Sequence, residues 1–419
     1  MTLKEGLEIL RGELIEVFDG DPMDIPCIET SDPEKLCKNP VVSVHMITYN
    51  HEPYIRQAIE GVMMQKTDFE FELVIGEDCS QDKTREICFE YQKKYPDKIR
   101  VLWWHENVSR FGGNGRRVRA HCRGEFIAVC EGDDYWIDPH KLQKQVDVMR
   151  KYPNVGLCFA CARICVEDNS ETYGWNENAT YLPGVISGRE FMLKHLYGVR
   201  FDEGRWASST FLMTASVLFR KSTMRQAFKE HEVFKWKLSL GDTTLWLGLA
   251  SVADVYYLSD IVSVYNQVAT GFCRTKASKI IVDALIVRMY YHRACFNLPF
   301  DDLPNQMLTS AYWCLVISNK GISKAKCFRS YLSMLMQQPD LSVIVKSRQF
   351  LAMTLIMWVL NRPLRMLLGR FSAYFLNQNA DPGWIIEEYA KCGAEYRPGS
   401  PRRFFRNIWR GIVAKVRMR

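Results

Sequence analysis

Between Val41 and Cys130, short apolar runs alternate with longer amphipathic ones. "VVSVHMI" (41–47) and "FELVIG" (71–76) are continuous apolar stretches too short for helices, and they predict buried strands. "PYIRQAIEGVMMQ" (53–65) and "KTREICFEYQKKY" (83–95) repeat apolar residues at three- and four-residue spacing and predict helices, the first with Pro53 in its opening turn. "IRVLWW" and "EFIAVC" supply two further strands. Strand and helix in that alternation predict an α/β fold, a mostly parallel sheet flanked by helices, with ligands held in the loops beyond the strand C-termini. Three of those loops are polar: Thr48-Tyr49-Asn50-His51, Glu77-Asp78-Cys79-Ser80 and Glu131-Gly132-Asp133-Asp134.

The flanks read differently. Residues 1–40 predict an amphipathic helix with Leu3, Leu7, Leu10, Leu14 and Val17 on one face, followed by an irregular connector. The α/β domain is expected over 41–271. A mostly helical extension, rich in Met, Leu, Trp and Arg, is expected over 272–400, and 401–419 form a basic amphipathic tail.

Composition narrows the setting. Hydrophobic residues make up 47% of the chain, which fits a folded protein. The longest apolar run, Phe350 to Leu360, falls short of the ~20 residues a membrane-spanning helix needs. The N-terminus carries acids where a signal peptide would carry a cationic end, so a reducing cytoplasm is expected. In "LCFACARIC", Cys158, Cys161 and Cys165 lack a nearby fourth soft ligand and read as buried thiols on an apolar strand. The net charge of +7 is located in Arg402–Arg419, which holds seven Lys and Arg and no acid, while the 48 remaining bases balance the 48 acids. On a helical wheel Phe405, Ile408, Trp409, Ile412 and Val416 share one face and Arg403, Arg406, Arg410 and Arg417 an adjacent one. That pattern predicts an interfacial helix on an anionic membrane surface, with a helix packed on the protein itself as the alternative. A lone basic helix is a weak nucleic-acid footprint, and no nucleic-acid partner is expected.

The chemistry concentrates in "AVCEGDDYWIDP". An apolar strand ends in three carboxylates within four residues, and charges so crowded repel unless a cation lies among them. Asp78 in "LVIGEDCSQDKT" suits a ligand-reading carboxylate or, with Ser80, a cap for the next helix, and Asp242 in "LGDTTLWLGLA" suits an N-cap. Upstream of the acids, "RFGGNGRRVRAHCRGE" offers Asn114, Arg116, Arg117 and Arg119 in a glycine-rich loop leading into a short helix, without the ending of a P-loop.

Four segments in chain order, "VSVHMITYNHEPYIRQAIEGVMMQ", "LVIGEDCSQDKT", "AVCEGDDYWIDP" and "LGDTTLWLGLA", resemble glycosyltransferase family 2, inverting enzymes of the Rossmann-like GT-A fold, of the bacterial surface-polysaccharide type. The resemblance covers Val41 to about Gly271. It implies that Thr48, Tyr49 and Glu52 neighbour the nucleoside of the donor, that Asp78 reads the base, and that Glu131, Asp133 and Asp134 form the metal site. Asp133 would thereby hold the donor diphosphate through Mn²⁺ or Mg²⁺. It further implies that Asp242 is the catalytic base and that Thr214 and Ser216 line the acceptor side. The donor implied is a nucleotide-diphosphate sugar, UDP-linked by preference. The acceptor implied is a lipid-linked or surface glycan, and the location is the inner face of the plasma membrane, with peripheral attachment through the tail. The match departs at "SVYNQVATGFC", where Asn266 and Val268 stand in place of an Arg and a His frequent in the family. Two rivals remain: a nucleotidyltransferase, which would need a glycine-rich phosphate loop with a basic residue after the first strand, and a non-catalytic membrane-associated protein retaining the fold. "TYNHEPY" lacks the former's loop, and the acids whose loss would favour the latter are present.

Overall fold

The computed structural model describes residues 15–17, 27–108, 113–166, 172–175, 182–197, 199–202, 205–208, 212–238 and 241–268, with scattered helical positions from 283 to 296. The expectations for residues 1–14, for most of 272–400 and for the tail lie outside them.

The alternation read from the sequence is present. Strand β1 (Ile28–Thr30) is followed by β2 (Val42–Thr48), α1 (Ile55–Met63), β3 (Phe71–Glu77), α2 (Thr84–Lys94), β4 (Ile99–Trp103), α3 (Gly113–His121), β5 (Phe126–Val129), β6 (Tyr135–Trp136) and α4 (Lys141–Lys151). Then come β7 (Val155–Val166), β8 (Thr172–Trp175), β9 (Gly184–Ile186), α5 (Gly188–Tyr197), a separate hairpin of β10 (Val199–Asp202) and β11 (Arg205–Ser208), a 3-10 turn (Thr214–Ser216), β12 (Leu218–Arg220), α6 (Lys221–Glu230), α7 (Gly241–Val252) and β13 (Asp254–Gln267). The main sheet runs β1-β4-β3-β2-β5-β12-β7-β13-β6, with β8 beside β7 and β9 beside β13. Strands β4, β3, β2 and β5 are mutually parallel, as are β7 and β13, and β12 joins the two sets antiparallel.

Both faces of the sheet are covered, and the period-two alternation of the strands assigns side chains to them. Val42, Val44, Met46, Leu73, Ile75, Phe126 and Ala128 pack against Ile55, Ile59 and Val62 of α1, Ile87 of α2 and Val146 of α4. Val74, Ile127, Val129, Leu157 and Phe159 face the other way, onto Val118 of α3 and Leu245, Leu247 and Leu249 of α7. The same alternation separates the cysteines: Cys158 lies on the first face and Cys161 on the second, where its sulfur meets the Tyr257 hydroxyl at 2.9 Å. The reading of buried thiols holds for Cys158 and Cys161, whereas Cys165, near the end of β7, is partly exposed.

Three local readings differ. The stretch read as an irregular connector contributes edge strand β1, antiparallel to β4 and fastened where Glu29 pairs with Arg100 at 2.8 Å. Val17, expected on a helix face, forms an isolated antiparallel bridge with Trp236, because its backbone groups find partners across the chain. Asn114, Arg116, Arg117 and Arg119 lie on α3 itself rather than in a loop before it. No helix among the described residues is long and apolar enough to cross a membrane.

Candidate active site

The three polar loops meet at the C-terminal ends of β2, β3 and β5, where parallel pairing brings them level: Thr48 stands beside Glu77, and the Cys130 N–H donates to the His45 carbonyl at 3.1 Å. The first two loops are stitched together. Asn50 donates its N–H to Ser80 Oγ at 3.0 Å and accepts the Gln81 N–H on Oδ1 at 2.8 Å, while the His51 N–H reaches Thr84 Oγ1 at 2.9 Å. Glu52 gives its N–H to Asp82 at 3.0 Å and takes the Lys83 N–H at 3.1 Å, so this residue, expected beside the nucleoside, joins loop to loop. Asn50 and Cys79 adopt left-handed φ values of 54° and 61°, tightening both turns.

Neither Asp78 nor Ser80 caps α2. Asp82 serves that helix end, accepting the Thr84 N–H at 3.0 Å. Asp78 is fully buried, and its Oδ1 accepts the Val108 N–H at 2.7 Å, which anchors the chain after β4 against the end of β3. Tyr49 remains 40% exposed at the mouth of the first loop, whereas Thr48 is buried, its hydroxyl lacking a hydrogen-bond partner. On α3, Asn114 Nδ2 donates to the Gly76 carbonyl at 3.0 Å. Arg117 is buried with its guanidinium 5.0 Å from the Trp104 ring centre. Burial lowers the pKa of Arg117 and brings that of Arg119 down to about 10, and the charge of Asp78 pulls back on Arg117.

The acidic turn presses directly on the first loop. A Cβ on Gly132 would lie 2.6 Å from Thr48 Oγ1 and 2.9 Å from His51 Nδ1, so the turn fits here because residue 132 has no side chain. His51 Nε2 stands 3.8 Å from Asp133 Oδ2. Burial depresses the imidazole's pKa against the opposing pull of Asp133 and Asp82. Asp133 is partly exposed, but Asp134 turns inward, 1% exposed, with Oδ1 accepting the Asn266 N–H at 2.9 Å. Opposite, Asp242 is the second residue of α7, and its Oδ1 takes the N–H of the adjacent Thr243 at 2.6 Å. It shares its environment with the turn: burial pushes the Glu131 carboxyl up to about 8, and the charges of Asp133 and Asp242 push the same way. Asp134 is raised well above its ordinary value by burial and by Asp133 and Glu131, and Asp242 is raised by burial.

Four carboxylates therefore crowd together, and among the described residues no lysine or arginine forms an ion pair with any of them. Such a set fits a divalent cation, which would relieve the repulsion that raises Glu131. No group of three or more His, Cys, Asp and Glu among the described residues is arranged to hold a metal by itself. The fit is accordingly to a hard cation bound by one or two carboxylates and completed by phosphate and water. Asp133, partly exposed, is the carboxylate best placed for it, and Asp134 is committed to the strand behind.

Thr214 and Ser216 separate. Thr214 is half-buried at the start of the 3-10 turn, while Ser216 is fully buried, its hydroxyl directed at the Ala160 N–H at 3.5 Å and its carbonyl accepting from Gln145 Nε2 at 2.8 Å. Ser216 thus belongs to the sheet, and the acceptor-lining role expected of it is corrected: packing between β7 and β12 removes it from any surface an acceptor could reach. Sequence reasoning gave no role to Asn50, His51 or Asp82 and noted Asn266 merely as a departure. The signal available for the first three was the density of hydrogen-bonding side chains in two loops that parallel pairing must bring together.

Residues 43–225 match the family described as Glycosyl transferase family 2. An uncharacterized protein of Mycobacterium tuberculosis (strain H37Rv) is 40% identical over 130 residues, which make up 31% of this chain and 37% of that protein. A putative teichuronic acid biosynthesis glycosyltransferase of Bacillus subtilis, TuaG, is 32% identical over 110 residues, 26% of this chain and 42% of its own length. The chain thus spans less than half the length of these relatives. Among solved structures, Staphylococcus aureus TarS (residues 1–349) in complex with UDP-GlcNAc is 16% identical with a TM-score of 0.49, covering 85% of this chain and 93% of that one. The mannosyltransferase PcManGT of Pyrobaculum calidifontis, in complex with GDP-Man and Mn²⁺, is 13% identical with a TM-score of 0.42, covering 85% and 91%.

Proposed function

Residues 43–225 form a family 2 glycosyltransferase domain, and from that premise we propose that the protein transfers a sugar, with inversion, from a nucleotide-diphosphate sugar to an acceptor hydroxyl. The observation that carries this reading is the uncompensated acid cluster shared by the turn after β5 and the first turn of α7. One side of it suits the donor diphosphate and the other an incoming hydroxyl.

The division of labour follows from position. Thr48, Tyr49 and Asp78 line the ends of β2 and β3, where a nucleoside would lie, with Glu52 holding the loops in register. Base reading by Asp78 requires the Val108 segment that its Oδ1 holds to yield to the nucleoside; a carboxylate there would suit the ring N–H of uracil, which favours a UDP-linked donor. Asp133, with Glu131 behind it, would hold the divalent metal, Mn²⁺ or Mg²⁺, whose chemistry is to offset the charge of the departing diphosphate. Asp242, with its proton affinity raised by burial, accepts the proton of the acceptor hydroxyl as that oxygen attacks the anomeric carbon from the opposite face. One displacement suffices, with no covalent sugar on the protein. Thr214 is the remaining candidate for the acceptor side. The acceptor we infer is a lipid-linked or surface glycan reached at the cytoplasmic face of the membrane, with the basic tail as the peripheral attachment. The relative named for teichuronic acid biosynthesis supports a surface polymer.

Differential scanning fluorimetry with UDP and GDP, each with and without Mn²⁺, tests the donor half of the proposal. A nucleotide that binds the folded state raises its melting temperature by mass action. A shift larger with Mn²⁺ than without is the expected result, and no shift with either nucleotide overturns the reading.

A further inference from the structure

We propose that Asn266 is a positioning residue for the metal-holding turn, setting the backbone of Asp133 so that its carboxylate is presented to the diphosphate of the donor. The proposal rests on the nucleotide-sugar reading above.

The geometry begins with β6. Tyr135 and Trp136, directly after the acids, pair antiparallel with Val264 and Ser263 of β13, and the Ile137 N–H continues the ladder to the Val262 carbonyl at 3.0 Å. Extending that register by two residues sets Asn266 opposite Asp133. There the two strands part, and Asn266 closes the gap with two hydrogen bonds. Its backbone N–H donates to Asp134 Oδ1 at 2.9 Å, and its Nδ2 donates to the Asp133 carbonyl at 2.6 Å. The first bond holds the Asp134 side chain inward; the second fixes the peptide that follows Asp133. With Thr48 and His51 packed against Gly132 on the other side, the turn is gripped from both sides and the Asp133 side chain is left partly exposed.

The choice of side chain has an electrostatic consequence. A neutral amide donates to the turn without adding charge to it, so the carboxylates of the turn are left for a cation to balance. A guanidinium at residue 266 would offset part of that charge within the protein and weaken the demand for a metal. Asn266 therefore fixes the geometry of the turn while preserving its affinity for a divalent ion, the arrangement expected of an outer partner that orients a ligand.

The test uses the full chain and two variants. In Asn266→Ala the Nδ2 bond is lost; in Asn266→Asp the shape is kept but an acceptor faces the Asp133 carbonyl. UDP and GDP affinities are measured by calorimetry with and without Mn²⁺, and Mn²⁺ binding alone by electron paramagnetic resonance. Outer-shell changes of this kind typically cost about 10–100-fold in metal affinity. The expected result is a loss of that order in Mn²⁺ affinity and in the Mn²⁺ enhancement of nucleotide binding, with metal-free nucleotide affinity unchanged. If both variants keep the wild-type enhancement, or if metal-free and metal-dependent binding fall together, the positioning role is overturned. A variant that does not fold counts as the second of these outcomes unless the other variant folds and shows the selective loss. A wild-type chain that binds neither nucleotide under any condition overturns the parent reading instead, and that arm is read independently of the variants.

Discussion

Gly132 and Thr48 are packed so closely that a methyl group on the Gly132 Cα would sit 2.6 Å from the Thr48 hydroxyl. The contact welds the acidic turn to the loop that follows β2. Neither element can shift without the other, so the metal-holding and nucleoside-facing halves of the site are mechanically one. Gly132→Ala forces them apart. Overpacking of this kind costs about 1–3 kcal/mol, which chemical denaturation would register. The larger effect is expected in Mn²⁺-dependent nucleotide binding, which should be lost by calorimetry while the variant remains folded.

Asp242 faces the same acids from α7, and its role separates binding from chemistry. General-base catalysis contributes roughly 10²–10⁴-fold. Asp242→Asn is therefore expected to keep nucleotide affinity and melting temperature near wild type while sugar transfer falls by that order, read as turnover of a nucleotide-sugar donor with an acceptor glycan. Normal turnover removes Asp242 as the base.

Lys141 offers a prediction about stability. It is fully buried, its Nζ donating to Gln145 Oε1 at 2.7 Å and lying 4.2 Å from the centre of the Trp136 ring. Burial brings its pKa down to about 7 from an ordinary 10.5. Between these values the unfolded chain binds the proton and the folded one does not, so stability rises with pH across that window and the penalty is full below it. Urea denaturation at pH 6 to 10 should show this rise. Lys141→Met should flatten it, and an unchanged slope in the variant would assign the pH dependence to other groups.

The tail carries a prediction of its own. Each Arg or Lys near an anionic leaflet adds on the order of 1 kcal/mol of attraction, and seven of them lie between Arg402 and Arg419. Co-sedimentation with anionic vesicles at low salt should deplete the full chain from solution, and a chain ending at Ser400 should stay behind. Equal behaviour of the two rules the tail out as the attachment.

The sequence by itself determined the alternating strands and helices, the edge of the sheet where ligands gather, and the acidic turn as its chemical focus. Hydrophobic periodicity carries that much because it is local: a strand such as "FELVIG" is buried on both faces whatever its neighbours are. It could not say which oxygen of which acid is already committed. Asp78 and Ser80 suited capping α2 as well as reading a ligand, yet Asp82 takes the first N–H of that helix and Asp78 secures Val108, 30 residues away. Ser216 read as an acceptor residue, and packing between β7 and β12 placed it inside the sheet. Asn266 read as a missing arginine; the antiparallel pairing of β13 with β6 made it a partner of residues more than 130 positions earlier. Each of these outcomes depends on a through-space register between distant segments. A buried polar group takes whichever partner that register brings within hydrogen-bonding distance, and only the folded chain fixes it.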